Sequence, residues 1–181
     1  MNEVLTRNRM IGLGVAALIF VSDQFIKWLV DGPLGLSREL DKMDLLPFFD
    51  LTRVHNRGVS LGLFEATSEE MRWILVGVTA LIAIVVAVWM FRERLLVDIT
   101  GLGMILGGAL GNIVDRTRFG YVLDYADFHI GDIRPFLIFN VADAAITIGV
   151  VIILVRSFFV SDKEHQAEQF AEKGPRARPV E

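Results

Sequence analysis

Four long apolar segments constrain the fold of this chain more than any other feature of its sequence. They cover residues 9–30, 71–91, 95–114 and 139–160, and each reaches the roughly 20 residues that a helix needs to cross a bilayer. Hydrophobic residues make up 53% of the 181 residues, a share too high for a small soluble domain. We therefore predict a mainly α-helical membrane protein with four transmembrane helices.

The composition excludes several classes of function. The chain contains no cysteine, which rules out disulfides, thiolate metal sites and a cysteine nucleophile. His55 and His129 do not fall in an HExxH motif or a comparable ligand spacing, so we predict no metal and no other cofactor. Few basic clusters occur outside the tails, so nucleic-acid binding has no support.

The basic residues indicate how the four segments are oriented. Arg7 and Arg9 precede the first segment, and the short turn between the second and third carries Arg92 and Arg94. Because basic residues mark the cytoplasmic side, we place both termini in the cytoplasm. No small-residue cleavage site follows the first segment, so we expect it to be retained as a span and not removed as a signal peptide.

We expect residues 1–160 to form one membrane domain, as the chain length suggests. Its first outer connection, residues 31–70, is long, and the stretch DLTRVHN within it alternates weakly in the manner of an extended segment. We predict a small extracytoplasmic β-platform there, followed by a short turn of helix around residues 65–70. Residues 161–181 are charged and contain Gly174-Pro175, so we expect a disordered cytoplasmic tail.

Two aspartates lie beside apolar segments, where an ionisable group is costly to keep, and we interpret both as functional. Asp124 follows the third segment in GYVLDYADF, and Asp143 opens the fourth in FNVADAAI. Two carboxyls brought together force one of them to hold a proton, which supplies one acid and one base. Simpler interpretations stay open: Asp124 as a solvated loop residue like Asp127 and Asp132, and Asn140 with Asp143 as a helix-capping box.

Further polar residues end the third segment in GALGNIVDR. Asn112, Asp115 and Arg116 share one helix face at spacings of three and four residues. The simplest interpretation of Asp115 is an ion pair with Arg116 or Arg118, whereas Arg116 can also present its donors to substrate carbonyls or lipid phosphate. The glycines of this stretch allow close approach of a neighbouring helix.

Asp23 and Lys27 lie four residues apart in the first segment and should pair within the membrane. We interpret them as an ion pair that ties the first span to the bundle. A serine–lysine nucleophile using Lys27 with Ser22 or Ser60 is disfavoured, because Ser22 is poorly spaced for Lys27 on a helix.

Two other classes of function use the same residues. A small transporter or proton-conducting protein would use the carboxyls as a relay, but Asp98 is the only candidate carboxyl towards the cytoplasm. A membrane assembly factor would use the long outer connection as its interface. Peptide cleavage without ion flux in proteoliposomes would separate a protease from a transporter.

The set of motifs resembles the lipoprotein signal peptidase (signal peptidase II) family, an aspartic intramembrane peptidase family. The motifs are SDQFIK, HNRGVSLGLF, GGALGNIVDR, GYVLDYADFH and FNVADAAIT, in this order over residues 10–155. In that family the catalytic dyad is formed by the aspartates of a VVDF-like motif and of FNxAD, which match Asp124 and Asp143. Residues around the site or supporting it match Asn56, Asn112, Arg116, Asn140 and Asp23. Leu123 and Tyr125 replace the usual valine and phenylalanine, and neither change removes a functional group.

The resemblance implies a bacterial inner-membrane endopeptidase with its site near the periplasmic face. Its substrates would be prolipoproteins, cut just before a cysteine that already carries diacylglyceryl, with membrane lipids as surroundings. It also implies a four-helix bundle with an outer β-platform, inhibition by globomycin, and action as a monomer. Which aspartate is the acid and which the base stays open, because a coupled pair titrates as a unit.

Overall fold

The structure, a computed structural model, describes residues 3–58 and 69–172, with side-chain surroundings described up to residue 158. Its helices are α1 (Glu3–Asp31), α2 (Glu69–Arg92), α3 (Leu96–Phe119) and α4 (Val141–Glu172). Its strands are β1 (Lys42–Leu46) and β2 (Phe49–Asn56), both between α1 and α2, and β3 (Val122–Phe128), between α3 and α4. All four helices contain a stretch long and apolar enough to cross a membrane, which confirms the predicted mainly α-helical fold.

The observed helices lie close to the predicted segments. Helices α1 and α2 contain the first two segments completely, whereas α3 and α4 begin one and two residues later than predicted. Helix α4 starts at Val141 because the Asn140 side chain accepts the Asp143 N–H and so acts as the N-cap. At its other end, α4 continues to Glu172, into the segment that we predicted to be a tail. The bounds of the domain and the disorder of the tail stay predictions.

Helix α3 lies at the centre of the bundle and packs against each of the other three helices. Half of its most apolar stretch is buried, against 17–22% for the other helices. A Cβ atom on Gly107 would lie 2.4 Å from the Ala16 carbonyl oxygen of α1, and one on Gly108 would lie 2.5 Å from the Ala142 carbonyl oxygen of α4. The close helix approach predicted from the glycines of α3 is therefore confirmed.

The three strands form one antiparallel sheet in the order β1, β2, β3. The pair of β1 and β2 confirms the predicted platform. Of the predicted helical turn at residues 65–70, residues 65–68 lie outside the described residues, and Glu69 and Glu70 are the first residues of α2. Strand β3 was not predicted: Asp124 lies on it opposite Val54, and not in a loop. The sheet lies where α1 and α3 end and α2 and α4 begin, a region that we call the sheet end.

Two apolar clusters lie on either side of a polar layer. One joins the helices, and its buried residues are Ala16, Ala83, Val86, Met90, Ile99, Leu102 and Leu106. The other joins the end of α1 to the sheet, and its buried residues are Val30, Leu36, Leu51, Leu123, Tyr125 and Ala126. On α1 and α3 the buried polar residues Asp23, Lys27, Asn112 and Asp115 lie along the chain between these clusters, and Asp23 and Asn112 are predicted site residues.

Candidate active site

Asp124 is held on β3 by two asparagine amides. Its side chain is buried, with 2% of the residue exposed. Asn140 Nδ2 donates to one carboxylate oxygen at 2.6 Å, and Asn56 Nδ2 donates to the other at 3.0 Å. Asn56 is the last residue of β2 and Asn140 precedes α4, so the sheet and a helix both contribute to the position of this carboxyl.

Asp143 lies in the first turn of α4 and is half-buried. Its backbone N–H donates to Asn140 Oδ1 at 2.9 Å, which is the capping contact that we considered as the simpler interpretation. Its carboxylate accepts a hydrogen bond from Asn112 Nδ2 on α3 at 2.8 Å. Capping and a position in the site therefore coexist, because the cap uses the backbone of Asp143 and leaves its carboxylate for Asn112.

The two asparagine amides connect the two carboxylates. Asn140 Nδ2, which donates to Asp124, also lies 3.4 Å from Asn112 Oδ1, and the opposite end of the Asn112 amide contacts Asp143. Both carboxylates line the same cavity of about 1350 Å³. The structure thus brings together Asp124 and Asp143, which are far apart in sequence and belong to different elements.

The environment of Asp124 favours its protonated form. Burial, followed by the negative charge of Asp143, raises the pKa of Asp124 from an ordinary value of 3.8 to about 7. The hydrogen bonds from Asn56 and Asn140 lower the same pKa, because they favour the ionised carboxylate, but they do not cancel the effect of burial. Near neutral pH this carboxyl can therefore both hold and release a proton.

Arg116 reaches the cavity from α3. Its guanidinium donates to the Gly58 carbonyl at 2.9 Å, and the Gly58 N–H in turn contacts Asn56 Oδ1 at 3.2 Å. The Nε atom of Arg116 is buried and has no hydrogen-bond partner among the described residues. Arg116 therefore joins α3 to the end of β2 at the wall of the cavity.

Most of the cavity wall is apolar. Leu75 and Thr79 line it from α2, and Ile146 and Ile148 line it from α4. On the sheet side, the segment 134–139 between β3 and α4 lines the cavity together with Val54 of β2 and Phe128 of β3. The lining thus combines the two carboxylates and Arg116 with a largely apolar wall, which suits a ligand with both a polar backbone and an apolar chain.

Asp23 pairs with Lys27 at 2.8 Å, as predicted, but neither residue lines the cavity. The predicted partner of Asp115 was wrong: Asp115 binds Lys27 at 2.8 Å, and not Arg116 or Arg118. The reason is that Asp115 faces α1, whereas Arg116 faces the cavity. Residue spacing within α3 cannot predict a partner that lies on another helix.

The expected solvation of Asp127 was also wrong. Asp127 is buried because it lies on strand β3, where it pairs with Asp50 of β2. Its carboxylate accepts hydrogen bonds from the side chains of Thr52 and Arg134. Strand β3 had a detectable signal in the β-favouring sequence YVLDY after Gly120, where a positive φ of 83° ends α3.

The two histidines considered as metal ligands are separate from the site. His129 contacts Asp50 at 2.7 Å beside a smaller cavity of about 510 Å³ on β1, and His55 lies 3.5 Å from Glu39. Among residues 3–58 and 69–158, no group of three or more His, Asp or Glu side chains could hold a metal ion.

Known proteins match this chain over most of its length. A family model described as Signal peptidase (SPase) II matches residues 15–159. The lipoprotein signal peptidase of Rhizorhabdus wittichii is 49% identical over 168 residues, which cover 93% of this chain and 97% of the relative. The lipoprotein signal peptidase of Sphingopyxis alaskensis is 52% identical over 157 residues, which cover 87% of this chain and 90% of the relative.

Solved structures share the fold. A bacterial membrane enzyme determined in meso at 2.3 Å resolution has a TM-score of 0.72 and 24% identity, with 94% of each chain covered. A second, determined in meso at 1.9 Å resolution, has a TM-score of 0.68 and 27% identity, with 81% of this chain and 91% of the other covered. With the match of residues 15–159, these findings show that the chain is a multi-pass membrane peptidase of the signal peptidase II family.

Proposed function

We propose that this peptidase removes signal peptides from diacylglyceryl-modified prolipoproteins and cuts just before the lipidated cysteine. The observation that carries the proposal is the meeting of Asp124 and Asp143 in one cavity, joined through the amides of Asn140 and Asn112. A buried carboxyl pair can activate water without a metal or a covalent intermediate. The relatives named above, all lipoprotein signal peptidases, support the choice of substrate.

In this mechanism Asp143 is the base and Asp124 is the acid. Asp143 lies at the N-terminus of α4, where the helix dipole favours a negative charge, and Asn112 donates to it. The Asp124 carboxyl is more deeply buried, and burial raises its pKa to about 7, so it carries a proton during part of the catalytic cycle. The charge of Asp143 contributes to that shift, as expected for two carboxyls that share one proton.

The chemical steps follow from these roles. Asp143 takes a proton from water, and the water oxygen adds to the scissile carbonyl carbon while the Asp124 carboxyl donates its proton to the carbonyl oxygen. The tetrahedral intermediate then returns the hydroxyl proton to Asp124, the C–N bond breaks, and the leaving nitrogen takes the proton held by Asp143. Both carboxyls thereby regain their starting states, so that no cofactor is consumed.

The cavity suits a substrate that is part peptide and part lipid. The two carboxyls and Arg116 line the cavity, and the donors of Arg116 would fit backbone carbonyls or an ester oxygen. Its apolar walls, between α2, α4 and the segment 134–139, would take the acyl chains and the apolar signal sequence. Membrane lipids would surround the remaining helix faces, where large apolar side chains are exposed.

We also propose a bacterial inner-membrane location, with both termini in the cytoplasm and the site near the periplasmic face. Arginines of α1 and of the turn between α2 and α3 lie at the end of the bundle opposite the sheet end, as the positive-inside rule requires. Asp98, the one carboxyl considered for a relay at that end, binds Arg156, which argues against a proton path through the bundle. We expect the chain to act as a monomer and globomycin to inhibit it.

Replacement of either carboxyl tests the reaction. We expect Asp124→Asn and Asp143→Asn each to lower kcat at least about 10³-fold, because each removes the acid or the base and leaves the shape of the side chain. The measurement is cleavage of a lipidated precursor in detergent, with the unlipidated precursor and added globomycin as controls. Retained cleavage in either variant, or equal cleavage of both precursors, would contradict the proposal.

A further inference from the structure

Lys27 occupies a buried position between two carboxylates on different helices. Its Nζ lies 2.8 Å from an oxygen of Asp23 on α1 and 2.8 Å from an oxygen of Asp115 on α3, and all three side chains are no more than 6% exposed. The amide of Gln24 donates to both carboxylates as well. Because burying charges costs free energy even when they are paired, an apolar contact would join α1 to α3 at least as well.

Each of the two carboxylates also accepts a backbone N–H next to the cavity. Leu123 N donates to Asp115 Oδ2 at 3.1 Å, and Ala142 N donates to Asp23 Oδ1 at 3.1 Å. Leu123 and Ala142 are the residues that directly precede the two proposed catalytic aspartates. The Ala142 N–H lies in the first turn of α4, where it has no carbonyl partner within the helix. Lys27 is thus connected to the backbone beside both proposed catalytic aspartates. The connection to Leu123 runs through Asp115, and the connection to Ala142 runs through Asp23.

Lys27 also contacts the amide that binds Asp143. Its Nζ lies 3.4 Å from Asn112 Oδ1. Because an ammonium group only donates, this contact turns the amide oxygen towards Lys27 and leaves the NH₂ group for Asp143. The space for this arrangement depends on Gly111, where a Cβ atom would lie 2.5 Å from Asp23 Oδ2.

We propose that Asp23, Lys27 and Asp115, which we call the lysine brace, are positioning residues for the reaction. The brace fixes the separation and orientation of the two catalytic aspartates through the backbone amides of Leu123 and Ala142. None of its three residues lines the cavity, so the brace acts on the carboxyl pair and not on the substrate. This inference rests on the proposed function, because it assigns the brace to the same pair of aspartates.

The test compares two double variants that each remove one positive and one negative side chain. Lys27→Met with Asp115→Asn breaks the brace and leaves the net charge unchanged. The matched control, Asp98→Asn with Arg156→Gln, breaks the ion pair that joins α3 to α4 at the opposite end of the bundle. For both, kcat and KM are measured on the lipidated precursor, and folding is followed by thermal unfolding in detergent.

We expect the brace variant to lose at least about tenfold in kcat, with KM changed by less than about threefold, because a misplaced reacting group slows the chemistry without weakening binding. The control should keep kcat within about twofold at a similar loss of thermal stability. Equal losses of kcat in the two double variants would show a structural role only. An unchanged kcat in a folded brace variant would also overturn the proposal.

A second measurement does not depend on activity or on the double variant. Amide hydrogen exchange at Leu123 should be at least about tenfold faster in Asp115→Ala than in Asp115→Asn, since asparagine keeps an oxygen acceptor. Exchange at Ala142 should differ in the same way between Asp23→Ala and Asp23→Asn. Equal exchange rates within either pair would overturn the brace.

The two proposals fail in distinguishable ways. If Asp124→Asn and Asp143→Asn lose cleavage while the folded brace variant keeps it, the brace is wrong and the proposed reaction stands. If either of these single variants keeps cleavage, the proposed reaction is wrong, and the brace loses the pair of aspartates that it is proposed to position.

Discussion

Two pairs of aspartates, three of them buried and Asp143 half-buried, lie next to each other at the sheet end, and their partners differ. Asp124 and Asp143 receive side-chain hydrogen bonds from neutral asparagine amides. Asp23 and Asp115 instead share the ammonium group of one lysine, at 2.8 Å from each. Uncharged amide groups thus contact the first pair of carboxylates, whereas a positively charged ammonium group contacts the second pair.

The difference indicates how one small polar layer can serve two purposes. A hydrogen bond between two oppositely charged groups is strong and geometrically specific, which suits a fixed structural contact. An amide donor also orients a carboxyl, but it favours the ionised form less strongly than a cation does. A carboxyl held by amides can therefore take up and release a proton during a reaction. Lys27 contacts the oxygen of Asn112 and neither of the two proposed catalytic carboxylates, so the two pairs have separate hydrogen-bond partners.

The largest effect in this comparison is expected from the amide of Asn140. Asn140→Ser keeps an oxygen that can cap α4 but removes the NH₂ group that donates to Asp124. We expect kcat to fall about 10²-fold, the usual loss when one oriented donor is removed from an active site. Thermal unfolding should change little, since serine is as good a cap as asparagine. A kcat within about threefold of the native enzyme would show that the amide is not needed.

A smaller loss of kcat is expected when a larger side chain is placed next to Asp23, in the second pair of aspartates. Gly111→Ala places a methyl group against Asp23, and we expect about a tenfold loss of kcat together with a Tm lower by a few degrees. Gly14→Ala on α1 is the matched control, because its Cβ would meet no atom within 4 Å. Gly14→Ala should keep kcat and Tm. Equal behaviour of the two variants would mean that Asp23 can move without consequence.

The smallest effect concerns the pH profile. Asn56→Ala removes a donor that lowers the pKa of Asp124, so this pKa should rise above its value of about 7. The acid is active when protonated, and the rate therefore falls as pH rises through this pKa. We expect the alkaline limb of the kcat profile to move up by about half a unit, because the ionised Asp124 carboxylate loses one of its two amide donors.

The control for this prediction is Asn8→Ala, which removes an asparagine that donates to the Arg94 carbonyl at the opposite end of the bundle. Its pH profile should match that of the native enzyme. A downward shift in Asn56→Ala, or the same shift in both variants, would contradict the assignment of Asp124 as the acid.

The fold was predictable where it depends on local sequence. The first two apolar segments lie within α1 and α2, and the other two predicted the starts of α3 and α4 to within two residues, although α4 continues to Glu172, past its predicted end at residue 160. The i, i+4 pair of Asp23 and Lys27 was confirmed for the same reason, since both residues lie on one helix face.

The site was less predictable where it depends on contacts between elements. Asp115 has arginines within its own helix, yet it binds Lys27 because α1 packs against that face of α3. Asp124 lies on a strand whose partner, β2, comes far earlier in the chain, and its alternation alone is too short to distinguish a strand from a loop. Neither contact follows from spacing.

By itself the sequence determined the four spans, their polar ends and the residues available for catalysis, because apolar length and the order of charges are local properties of the chain. Only the tertiary structure decided which carboxyl meets an amide and which meets a lysine. That choice depends on how closely α1, α3 and α4 approach one another, and the approach is set by glycines whose neighbours lie on other helices.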